Sequence, residues 1–152
     1  MDRLALVAGA QHGSCDVSLC LITAGKVAVI AASAFTLSWT HSIEKTRWEE
    51  DWRLTPAGLE IIEARVKGSG AGMEPPDGAV LRHGWWVYLP RLPIQRELVF
   101  AQSGATGEGW TLCAGAHCET FGERAAAPAV LRICDAPPNS SRLEKADVDQ
   151  KR

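Results

Sequence analysis

The sequence predicts an all-β domain, an antiparallel β-sandwich or small barrel of about eight or nine short strands. Three observations predict it. Apolar and polar residues alternate with a period of two: Phe35, Leu37, Trp39, His41 and Ile43 oppose Thr36, Ser38, Thr40 and Ser42. Turn signals recur about every ten residues. No stretch makes a convincing long helix. One-sided strands must bury their apolar faces on each other, which a sandwich or barrel achieves.

The elements follow in order. "SLCLIT" reads as a strand, closed by a turn at Ala24-Gly25. The apolar run from Val27 leads into the alternating strand of residues 35–43, whose period points His41 inward with Trp39 and Ile43. After a turn at 44–46, Trp48, Glu50, Trp52 and Leu54 alternate with Glu49, Asp51 and Arg53. A helix over 43–54 competes, but the neighbouring strands favour a strand here. "TPAGL" turns the chain, and "LEIIEARVK" alternates again. Residues 68–78, "GSGAGMEPPDG", form a loop, because glycines followed by Pro-Pro suit no regular element. "AVLRHGWWVYLP" is a hairpin with His83-Gly84 at its tip, and "ELVFAQ" is a further strand. "WTLCAGAHCETF" is two strands joined at Gly115-Ala116, and a last apolar piece runs from Val130 to Cys134. Residues 17–135 make one β domain, flanked by a tail at 1–16 and a disordered, Pro/Ser-rich and charged tail at 136–152.

Composition bounds the function. A chain of 152 residues supports one domain with a real core. Its net charge of -2 supplies no basic field for nucleic acid or an anionic membrane surface. No apolar run approaches the roughly 20 residues of a membrane-spanning helix. Arg3 and the apolar residues 4–10 resemble a very short signal peptide, but Asp2 makes the leading segment acidic as well as basic. A lipid anchor at Cys15 is disfavoured by His12 just upstream. Lack of a clear leader favours the cytoplasm over the periplasm, whereas a hairpin disulfide would favour the periplasm.

The combination "FTLSWTHSIEKTRWEEDWRL", "GSGAGMEPP" and "GWW" resembles the domain of unknown function 1850 family, over roughly residues 19–121. In that family a Thr-His-Ser, a hydrophobic residue, a Lys and an acidic residue precede a Gly-x-Gly-Met loop. Here these are Thr40, His41, Ser42, Ile43, Lys45 and Glu44, then Gly70, Gly72 and Met73. Members are small bacterial proteins often encoded beside TAXI-type tripartite ATP-independent periplasmic (TRAP) transporters. The resemblance therefore implies solute handling and carries no known reaction. Relatives with the "LCL" opening start near it, which makes Val17 a candidate start; native protein beginning at Asp2 or Leu4 would sink that expectation.

The candidate site centres on His41, Glu44, Lys45 and Glu49, with Gly70, Gly72 and Met73 as one wall. Adjacent strand residues face opposite ways, so His41 and Ser42 are not expected to act as a nucleophile pair. His41 is weighed between a core imidazole bonded to backbone and a site residue. The charge run from Glu44 to Asp51 is either a solvated edge or a site facing His41 with Glu49 or Glu50. "GSGAGM" lacks the Lys-Ser/Thr of a nucleotide loop. Cys113 and Cys118 face each other if Gly115-Ala116 is a two-residue turn; they form either free thiols or a disulfide, with a metal site using His117 as a weaker option. No cofactor and no metal are expected. Of the adjacent Trp85 and Trp86, one is expected to be exposed or to cover a second surface. The reading is a small ligand-binding or accessory module whose partner is a transporter component or a small organic solute. The alternatives are a hydrolase or isomerase using His41 with a carboxylate, and a structural partner-binding subunit.

Overall fold

The computed structural model describes residues 17–68, 75–105 and 107–134. Among these the chain forms strands and no helix: β1 (Ser18–Thr23), β2 (Lys26–Ala31), β3 (Ala34–Thr40), β4 (Arg47–Thr55), β5 (Gly58–Lys67), β6 (Val80–Arg82), β7 (Trp85–Tyr88), β8 (Glu97–Gln102), β9 (Trp110–Ala114), β10 (His117–Phe121) and β11 (Ala126–Ile133). They build two antiparallel sheets, one of four strands ordered β2-β1-β11-β8 and one of seven ordered β10-β9-β3-β4-β5-β7-β6. Neither sheet closes on itself, so of the two expected closures the sandwich is the one that forms. Eleven strands stand where about eight or nine were expected, because short arms such as the three-residue β6 count as strands once they are paired.

The tight turns follow the residues that permit them. Ala24 and Gly25 have φ of 43° and 77°, and His83 and Gly84 have φ of 50° and 80°. Positive φ at both central residues matches the twist of the flanking strands, which is why these two-residue links close hairpins. Between β9 and β10 only the first central residue, Gly115 (φ 57°), has positive φ, and the link sets Ala114 opposite His117 and Cys113 opposite Cys118.

The two inner faces meet in one core. Leu19, Leu21, Phe100 and Leu131 come from the four-stranded sheet, and Phe35, Leu37, Trp52, Leu59 and Leu112 from the seven-stranded one. Their alternation along each strand is the period read in the sequence. Burial of these side chains, about 1.5–3 kcal/mol each, is the main force that holds the sheets together.

Two disulfides add covalent ties. Cys113 and Cys118 are joined across β9 and β10 with Cα atoms 4.1 Å apart. Cys20 of β1 is joined to Cys134, just past β11, across a sequence separation of 114.

Three expectations change. The strand of residues 35–43 ends at Thr40, and Ile43 is 84% exposed rather than inward. The hairpin pairing closes at Thr40 opposite Arg47, so the alternation has no sheet face to continue on. The last strand is longer than the expected apolar piece, because β11 begins at Ala126. Pro128 sits where the register shifts between Ala126 and Ala129, a place where its missing N–H is tolerated. The metal option at Cys113, His117 and Cys118 is overturned, since the two sulfurs are bonded to each other and His117 Nε2 lies 2.9 Å from Glu119 Oε1. The expected tails, at 1–16 and 136–152, and the wall residues Gly70, Gly72 and Met73 lie outside the described residues.

Candidate functional site

The turn between β3 and β4 organises the site. The His41 N–H donates to the Thr46 carbonyl (2.8 Å), and the Lys45 N–H donates to the His41 carbonyl (3.0 Å). Lys45 takes a left-handed φ of 55° to make this closure. The Glu44 N–H donates to His41 Nδ1 (3.2 Å). An Nδ1 that accepts leaves the proton of the neutral ring on Nε2, so Nε2 is a donor in that tautomer.

His41 lines a cleft of about 180 Å³ at one end of the sandwich. Its floor is Trp39 and Trp110, whose rings are 4.8 Å apart and tilted by 43°. Phe100 backs Trp110 at 5.0 Å and packs edge-on against Phe121 at 5.3 Å, so the floor is anchored in the core. Polar groups come from Ser42 beside His41 and from Ser103 in the loop after β8. Thr40 Oγ1 donates to Glu108 Oε2 (2.7 Å), which ties the His41 turn to the loop before β9.

Glycines give the opposite wall its shape. Gly109 has φ of 67°, and a Cβ there would run into the Phe121 carbonyl. Only glycine lets the loop come this close to the end of β10. Gly104 and Gly122 complete the rim.

The sequence-derived candidates separate in this frame. His41 lines the cleft, and so does Ser42, because both lie on a turn rather than on a strand. The alternation that would send them to opposite faces does not operate there. Glu44 and Lys45 are on the same turn and exposed. Glu49 is on the outer face of the seven-stranded sheet. There its carboxylate lies 2.8 Å from Arg65 Nη2 and 3.6 Å from Arg47 Nε, so its partners are cations and not His41. Ser103 and Gly109 escape a reading made along the sequence, since the loop that carries them is distant from His41 in the chain and meets its turn only through the fold. The signal that could have found them is "GEGW", a glycine loop delivering a tryptophan to a strand start.

The outer face holds an ion-pair network. Arg65 Nη1 lies 2.6 Å from Asp51 Oδ2 and 3.3 Å from Glu63 Oε1, and Thr36 Oγ1 donates to Asp51 Oδ1 (2.7 Å). Partial burial works against the Asp51 charge, but the hydrogen bonds from Arg65 and Thr36 outweigh it and hold the carboxyl below its ordinary range. The hydrogen bond to Asp51, and after it the one to Glu49, raise the Arg65 guanidinium above its ordinary value against partial burial. On the inner face Glu50 is pushed up by burial, only partly offset by the hydrogen bond from Trp52 Nε1 (3.0 Å).

A second, broader concavity of about 660 Å³ lies between Pro56, Ala57, Gly58, Arg96, Glu97 and Arg132. It has no aromatic floor. Among the described residues no three His, Cys, Asp or Glu side chains gather as a metal site would need. No helix among them is long and apolar enough to cross a membrane.

A two-sheet β protein with a small aromatic cleft at one end is the class this fold and site define. The chain belongs to the family described as Domain of unknown function (DUF1850), whose model matches residues 35–121. The matched segment runs from β3 through β10 and so contains the His41 turn, Trp110 and the full seven-stranded sheet. No curated protein and no solved structure matches the chain.

Proposed function

We propose that the protein is a small solute-binding or accessory module, and that the cleft around His41 is where the solute sits. One observation carries the reading: a donor-bearing imidazole and two serines share a cavity whose floor is a pair of tryptophans. Aromatic surface with a few placed polar groups is the usual make-up of a small-molecule site. A volume of about 180 Å³ holds roughly six waters at about 30 Å³ each, which fits a small polar organic solute with an oxygen acceptor. A donor at Nε2 suits holding an acceptor better than removing a proton. That favours binding over the alternative of a hydrolase or isomerase with His41 as base.

The family resemblance, with relatives often encoded beside TAXI-type TRAP transporters, makes solute transport the process such a module would serve. The two disulfides support work in an oxidising compartment, such as the periplasm where those transporters collect solute.

A thermal-shift screen against organic acids, amino acids and sugars tests the reading. A true ligand at about 100 times its Kd stabilises by about 2.7 kcal/mol. The expected result is a hit whose effect disappears in His41→Ala and in Trp110→Ala. A hit that stabilises both variants as much as the parent would overturn the placement.

A further inference from the structure

The inner face of the seven-stranded sheet carries a second cluster that the cleft does not use. In one row across the strands, Glu50 of β4 pairs with Ala64 of β5, which pairs with Tyr88 of β7. In the adjacent row Trp48 pairs with Val66, which pairs with Trp86. Paired residues of neighbouring strands put their side chains on the same face. A carboxylate and a phenol therefore flank the small Ala64, two strand spacings or about 9–10 Å apart. Two indoles stand in the row beside them. Glu50, Tyr88, Trp48 and Trp86 are each partly exposed, so solvent reaches the cluster.

Two features of the cluster are incomplete. Glu50 receives a hydrogen bond from Trp52 but has no cation among its partners in the described residues. Burial first, and then the Glu50 charge, push the Tyr88 phenol up. Trp48 Nε1 is buried with no acceptor among the described residues. A carboxylate in such surroundings is costly without a counter-charge, and so is an indole N–H without an acceptor.

We infer that Glu50, Tyr88, Trp86 and Trp48 form a binding site for a small organic cation of the amino-alcohol type. The carboxylate supplies the counter-charge, and the aromatic faces attract an ammonium or quaternary ammonium group. The Tyr88 hydroxyl, in the same row as the carboxylate, supplies a hydrogen-bonding group for an oxygen on the same molecule. A neutral sugar would leave the carboxylate without a counter-charge. A metal ion would find one carboxylate and one neutral phenol about 9–10 Å apart, too few ligands and too far apart to coordinate it together. The site is separate from the His41 cleft, although Trp39 of the cleft floor stacks on Trp48 at 6.1 Å.

Choline, and its uncharged isostere 3,3-dimethylbutan-1-ol, probe the site in a tryptophan-fluorescence titration of the full chain at neutral pH. The expected result is saturable quenching by choline and binding by the isostere weaker by roughly tenfold or more. Glu50→Gln keeps the acceptor for Trp52 and should weaken choline by a similar factor. Trp86→Leu, on a short strand far along the sheet, gives a second variant should Glu50→Gln fold poorly, and the expected loss is the same. His41→Ala should leave choline binding unchanged, which keeps this test independent of the cleft. No saturable choline binding, equal binding of the isostere, full binding by folded Glu50→Gln and Trp86→Leu, or loss in His41→Ala would each overturn the inference.

Discussion

Glu50 and Asp51 are neighbours in sequence with opposite fates. Strand alternation puts Glu50 on the inner face beside Trp52 and Asp51 on the outer face under Arg65. Glu50 sits above its ordinary value through burial, so the folded state holds its proton more tightly than the unfolded chain does. Its contribution is therefore least harmful at acid pH, and stability falls as pH rises from the ordinary carboxylate range through the raised value. Glu50→Gln should raise Tm at pH 7, and the gain should vanish below about pH 4. Parallel melts of the two proteins across pH 3–8 check this; an equal gain at every pH would show that charge is not the cause. Asp51 has the reverse sign. Its lowered value stabilises the fold above about pH 4, and that part is lost as pH falls through the lowered value. Asp51→Asn should cost about 1 kcal/mol at pH 7, since the Arg65 network is partly exposed and screened, and the cost should shrink as pH falls through the lowered value.

At the scale of elements, hairpins were legible in the sequence because their turns carry residues that tolerate positive φ. Ala24-Gly25, His83-Gly84 and Gly115-Ala116 lie where the turn signals place them. The end of β3 was not legible. His41 and Ile43 keep the right period, but period says nothing about where a partner strand stops. Pairing closes at Thr40 opposite Arg47, so the residues beyond became a turn and the site's imidazole came to lie beside its serine. The rest of the cleft wall was hidden for a related reason: Ser103 and Gly109 reach it from a loop more than sixty residues away. Glycine chemistry at these joins is testable. Gly25 and Gly109 both have positive φ, at 77° and 67°, but a Cβ at Gly25 meets open space, whereas one at Gly109 meets the Phe121 backbone. Gly25→Ala should cost about 1 kcal/mol for its backbone conformation alone. Gly109→Ala should cost a further ~1–3 kcal/mol as the loop is forced off β10. Equal losses in urea melts would mean that the close approach at the cleft wall carries no energy.

Across the whole molecule, seven strands face four, and the ties that hold the smaller sheet differ from those that hold the larger. The four-stranded sheet is assembled from both ends of the described chain: β1 pairs with β11, so its formation waits for nearly the whole domain. Cys20–Cys134 locks that pairing, and the Cys134 N–H donates to the Ser18 carbonyl beside it. Five cysteines allow many pairings, and sequence spacing favoured the local pair at Cys113 and Cys118; only the β1–β11 register brings Cys20 and Cys134 together. Chain entropy ranks the two bonds. Closing a loop of 114 residues constrains the unfolded chain by about 5 kcal/mol, and closing one of 5 by about 2 kcal/mol. Cys134→Ser, with Cys20→Ser to avoid a stray thiol, should therefore lower stability by roughly twice as much as the Cys113→Ser, Cys118→Ser pair. Reductant should lower the Tm of the parent and leave the quadruple variant unmoved. Alkylation of denatured, unreduced protein should label one cysteine of the five. Labelling of all five would remove both bonds, and with them the support for an oxidising compartment. A larger loss from the hairpin pair would instead mean that the unfolded chain is already compact near its ends, so that the long loop costs less to close than its length implies.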